Sequence, residues 1–162
     1  MTRDDEIKNQ EKLEKKLLHF MKGNRFAVQF IIQFIYVCHL WDDLIDKDNP
    51  RTDNEISDAF RICLVDLPLN PFYAHNMHLL TPVIINGILE WEDANKLEKG
   101  NLHEQHMAYM LRAGLMSQIS FCAYICGGKD WAREIGPEIR NLYEEPLEQF
   151  LEEMRCLIQL QP

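Results

Sequence analysis

Asp42, Asp43, Asp46 and Asp48 crowd into HLWDDLIDKDNP, residues 39–50, at the end of a run apolar enough to be buried. Clustered carboxylates are the groups that gather hard divalent cations, because Mg²⁺ takes oxygen ligands and is usually held by one or two carboxylates plus substrate phosphates. The end of a helix already carries about half a negative charge, so each added anion costs up to about 1 kcal/mol unless a cation or water answers it. At about 100° per residue, His39, Asp42, Asp43 and Asp46 share one side of a helix. Traced backward, that side meets Val28, Ile31, Ile32 and Ile35, so the carboxylates prolong an apolar stripe and are expected to point inward.

A second acidic set lies further along. Phe72, Leu79 and Val83 define a stripe that runs into Asn86, Glu90 and Asp93 and returns to Leu97, whereas Glu92 and Glu98 fall off it and are expected to be solvated. His103 and His106 follow, on a stripe continued by Met107, Met110 and Gly114, and Arg112 stands about half a turn from His103. If successive helices run up and down, these groups gather at one mouth of a bundle. Buried unpaired carboxylates are very costly, and few Lys or Arg lie on the two stripes. The expected metal ligands are therefore Asp42, Asp43, Asp46, Glu90 and Asp93, with His39, Asn86, His103, His106 and Arg112 as further pocket residues. Mg²⁺ is the expected cofactor, with Mn²⁺ as its alternative; ligation by histidine would move the choice to Mn²⁺, Fe or Zn²⁺.

The elements that must position these residues read as helices throughout, giving an all-α, single-domain bundle of about six helices over residues 1–162. The first covers residues 4–22, buries Leu13, Leu17, Leu18, Phe20 and Met21, and stops at Gly23-Asn24. The second, 25–46, is apolar nearly all round and ends at Asn49-Pro50. A short third helix starts at Thr52 or Asp53, with Glu55 at capping-box distance from Thr52, and runs to about Val65 before Pro68 and Pro71 force a loop. The fourth, 72–99, should kink near Pro82 and close at Gly100. A fifth, 102–126, ends at Gly127-Gly128, and a sixth, 129–156, is interrupted by Pro137 and by Pro146.

Charge narrows the partners. With a net charge of -9 the chain lacks the clustered Lys and Arg on which phosphate-backbone binding rests, and no nucleic-acid partner is expected. Lys8, Lys12, Lys15 and Lys16 alternate with Glu6, Glu11 and Glu14 as a solvated helix face. Five cysteines form no Cys-x-x-Cys pair, which suggests a reducing cytoplasm. The apolar run from Phe26 to Trp41 is short for a bilayer and is interrupted by Gln29, Gln33 and His39, so no membrane span is expected.

Asp42-Asp43-Leu44-Ile45-Asp46 resembles the DDxxD motif of class I isoprenoid synthases, all-α enzymes in which that motif holds Mg²⁺ against a substrate diphosphate. The resemblance covers about ten residues. It implies Asp42 and Asp46 as metal ligands, Asp43 in support, and ionisation of an allylic diphosphate. Of that family's second motif, Asn-Asp-x-x-Ser-x-x-x-Glu, only Asn86 and Glu90 echo the ends, and the chain is shorter than the family's fold. Glu90-Trp91-Glu92-Asp93 also resembles the Glu-x-x-Asp of the all-α nucleotide pyrophosphohydrolases, with Asp43-x-x-Asp46 in place of their Glu-x-x-Glu. That resemblance implies hydrolysis of a phosphoanhydride by a metal-activated water. Under either, a small-molecule diphosphate is the partner, and Trp41, Ile35, Val83 and Met110 would wall an apolar group. The remaining reading is a non-catalytic interaction protein, with the acids solvated and the apolar helices packed in a homo-oligomer.

Overall fold

The computed structural model describes residues 3–47 and 49–159, with side chains described for residues 9–47 and 49–156. Asp48 and the side chains of Glu6 and Lys8 lie outside the described residues. The chain is all-α: α1 (Arg3–Phe20), α2 (Arg25–Asp46), α3 (Asp53–Arg61), a π-helical turn (Ile62–Asp66), α4 (Leu67–Leu69), α5 (Pro71–Leu97), α6 (Leu102–Arg112), α7 (Gly114–Arg140) and α8 (Leu147–Gln159), with no strand among the described residues. It divides into two compact units, Met1–Leu80 with Ile125–Gly127, and Thr81–Tyr124 with Gly128–Pro162.

In the first unit the sequence sets its own punctuation. Lys22 and Gly23 take left-handed backbone angles and turn the chain out of α1. Asn24 then caps α2, its side-chain oxygen accepting the Ala27 N–H at 3.1 Å. Leu17, Phe20 and Met21 of α1 and Ala27, Val28, Phe30, Ile31 and Leu40 of α2 are buried. Phe30 stacks on Phe34 and on Tyr73 with ring centroids 5.8 and 5.3 Å apart. Buried Asn70 ties the start of α5 to that of α2: it donates to the Phe26 carbonyl at 3.0 Å and accepts the Phe72 N–H at 2.9 Å. By length and composition α2 could cross a membrane, a test that the core helix of a soluble protein also passes.

The Thr52–Glu55 capping box forms, so α3 begins where its sequence says. Its end differs. The chain stays helical through the π turn to Leu69: Pro68 removes one N–H from this run, directly after the π turn in which the Leu67 N–H reaches back to the Ile62 carbonyl; only Asn70 interrupts before α5. α5 likewise remains helical through Pro82.

The second unit holds Thr81–Leu97 of α5, α6, most of α7 and α8. Ala94, Ala108, Phe150 and Met154 form a buried cluster against Leu97, Tyr109, Leu111, Leu147 and Leu151. Asn101 and Glu104 make a second capping box at the start of α6. Buried Gln105 donates to the Glu98 and Gly100 carbonyls at 3.3 and 3.4 Å, closing the end of α5. Buried Gln118 donates to the Val83 carbonyl at 2.8 Å, through space that a Cβ on Gly87 would fill.

Two helices expected from the sequence are redistributed. The expected 102–126 helix breaks at Ala113, just before Gly114, a weak helix former. The expected interruption at Gly127-Gly128 occurs at Gly128, whose φ of 79° is left-handed, and helix resumes to Arg140 despite Pro137. The chain leaves helix between Asn141 and Pro146, so the interruption expected at Pro146 is present and divides residues 129–156 into two helices.

Candidate functional site

The end of α2 answers its own anions. Asp43 is only 9% exposed and accepts hydrogen bonds from Arg51 Nε at 2.7 Å, from a second Arg51 guanidinium nitrogen, and from Asn49 Nδ2 at 2.9 Å. Arg51 reaches on to Glu55 at 3.1 Å, and Tyr36 on α2 donates to the Glu55 backbone carbonyl at 3.3 Å. The loop of Asn49, Pro50 and Arg51 thereby folds back on the helix it leaves, and the α3 capping box fixes the far side of the arginine. Hydrogen bonds to Asp43 first, then to Glu55, push the Arg51 guanidinium further above its ordinary range. The Glu55 carboxyl is held below its ordinary range, chiefly by the Thr52 backbone N–H and hydroxyl and then by Arg51.

Phase along α2 predicts that His39, Asp42, Asp43 and Asp46 all point inward, and of these only Asp43 is buried. Asp42 is half-buried, and Asp46 and His39 are exposed. The reason is electrostatic: a carboxylate leaves water cheaply only where a cation and further donors satisfy it, and Arg51 with Asn49 does so for Asp43. Cys38, one turn before Asp42, has its thiol pushed up to about 12 by burial, with the neighbouring Cys63 and Asp42 adding to it. All five cysteines are free thiols.

In the second unit the acids of α5 are distributed differently from expectation. Asn86 Nδ2 donates to Glu90 Oε1 at 2.7 Å, and half-buried Glu90 lies so close to Gly114 that a Cβ there would come within 2.8 Å of its Oε2. Asp93 is exposed and paired with Lys96 at 3.4 Å. Glu98, expected in solvent, has a side chain only 14% exposed because Arg112 reaches it as an ion pair. Arg112 is thus half-buried on its own partner, with its guanidinium 5.7 Å from the Phe150 ring centroid. His103 and His106 are exposed on α6.

The sequence-derived ligands are therefore shared between units: Asp42, Asp43, Asp46 and His39 in the first, and Asn86, Glu90, Asp93, His103, His106 and Arg112 in the second. Among the described residues no group of three or more His, Cys, Asp and Glu side chains is arranged to hold a metal. Sequence reasoning missed Arg51. The signal was present in Asn49-Pro50, which turns the chain back, and in the capping box that starts α3 one residue after the arginine. Compared with protein-family models, curated proteins and solved structures, the chain gives no match to any of the three.

Proposed function

We propose that the end of α2 is a divalent-cation site for diphosphate chemistry, of the kind the DDxxD resemblance implies. One observation supports it: Asp42 and Asp46 stand one turn apart at the end of α2 with side chains that solvent reaches, beside Asp43, which Arg51 and Asn49 hold in place. Two hard carboxylates fit Mg²⁺, which keeps waters and completes its shell with substrate phosphate oxygens, and do not need a third protein ligand. Asp42 and Asp46 would hold the cation, which supplies positive charge to a departing diphosphate. The nucleotide alternative needs Asp43 itself as a ligand, where three hydrogen bonds already converge.

The test is pyrophosphate release with Mg²⁺ from a panel of allylic prenyl diphosphates and nucleoside triphosphates. Turnover of the prenyl substrates, lost in Asp42→Asn with Asp46→Asn, is the expected result; turnover of nucleotides alone would move the assignment to phosphoanhydride hydrolysis. A second reading, a helical interaction protein, is favoured by Leu64 and Leu69, which stand 73% and 74% exposed at the end of the first unit's α3–α4 segment. Inertness toward every diphosphate, together with concentration-dependent self-association, would select it.

A further inference from the structure

The start of α6 reads His103-Glu104-Gln105-His106-Met107-Ala108-Tyr109-Met110, and the proposed diphosphate site uses none of it. His103, His106, Met107 and Met110 occupy positions i, i+3, i+4 and i+7 of one unbroken helix. They share a face, with Cβ atoms of neighbours about 5–6 Å apart. All four are exposed, Met107 by 45% and Met110 by 69%.

The rest of α6 is engaged elsewhere. Glu104 closes the capping box on Asn101, Gln105 is buried on backbone carbonyls, Ala108 and Tyr109 pack in the core cluster, and Arg112 pairs with Glu98. The His–Met face is what packing and capping leave over. Its donors are of one kind: thioethers are soft ligands that select Cu(I), and imidazole suits copper as well, whereas Mg²⁺ prefers carboxylates and water. A soft monovalent d¹⁰ ion takes two to four donors, within what a single helix face can offer.

We propose that this face of α6 binds one soft monovalent d¹⁰ cation, Cu(I) or its air-stable analogue Ag(I), through His103, His106, Met107 and Met110. The probe is Ag(I), titrated into the full chain carrying Cys63→Ser and Cys156→Ser, so that the two exposed thiols do not compete. Followed by NMR of the methionine methyls and histidine rings, Met107, Met110, His103 and His106 should shift together and saturate at one equivalent. Met107→Leu with Met110→Leu keeps apolar surface and helix propensity; it should weaken binding at least tenfold. Shifts confined to other residues, an affinity unchanged by the double substitution, or tighter binding of Zn²⁺ than of Ag(I) would overturn the assignment.

Discussion

The ends of α2 and α5 both carry clustered acids, and each encloses one of them. At α2 the enclosed acid is Asp43, held by Arg51 from eight residues downstream; at α5 it is Glu98, held by Arg112 from fourteen residues downstream. Acids nearby in sequence, Asp46 on α2 and Asp93 on α5, stay exposed. Helical phase points to a different outcome, with Asp93 inside and Glu98 outside. What decided burial was the reach of an arginine, because the cost of dehydrating a carboxylate outweighs the pull of the apolar stripe unless a guanidinium fork repays it.

The two ends also differ. Arg51 belongs to a local network spanning the end of α2, the following loop and the start of α3, and is shared with Glu55. Arg112 is tertiary: it links α6 to the end of α5 and lies over Phe150 of α8. Removing Arg51 strands Asp43 without its cation and should cost about 2–4 kcal/mol in urea unfolding, below the full penalty for a buried pair because the arginine side chain is itself 26% exposed. Arg51→Lys should recover only part of this, since an ammonium cannot make the forked contact. A loss under about 0.5 kcal/mol would break the claim that Arg51 is what keeps Asp43 inside.

Next in size, Arg112→Ala should cost about 1.5–3 kcal/mol, since its partner Glu98 is nearly enclosed. Asp93→Ala, on a pair whose side chains are 60% and 75% exposed, should change stability by less than about 0.5 kcal/mol. Equal losses from Asp93→Ala and Arg112→Ala would mean that proximity to the apolar stripe, and not arginine pairing, organises these acids.

The sequence exposes a good deal of this. Caps at Asn24, Thr52 and Asn101 are local chemistry, each an oxygen meeting N–H groups two or three residues on, and they set the helix starts. The all-α class follows from periodicity of the same local kind. Proline read as a breaker misled at Pro68, because the helical run continues from the π turn directly before it without that proline's N–H. Which carboxylate is buried was illegible from phase, since Arg112 is a tertiary partner and Arg51 arrives only after the chain has turned at Pro50.

The most direct test of the α2 site is the melting temperature with and without millimolar Mg²⁺ and inorganic pyrophosphate, in the unaltered chain and in Asp42→Asn with Asp46→Asn. A ligand that binds only the native state at about 100 times its Kd adds about 2.7 kcal/mol, so the unaltered chain should melt several degrees higher with both present. The double variant should lose that increment, measured against its own ligand-free melting temperature, with Asp43 and Arg51 untouched. An equal rise in both proteins, or none in either, would contradict a cation site at Asp42 and Asp46.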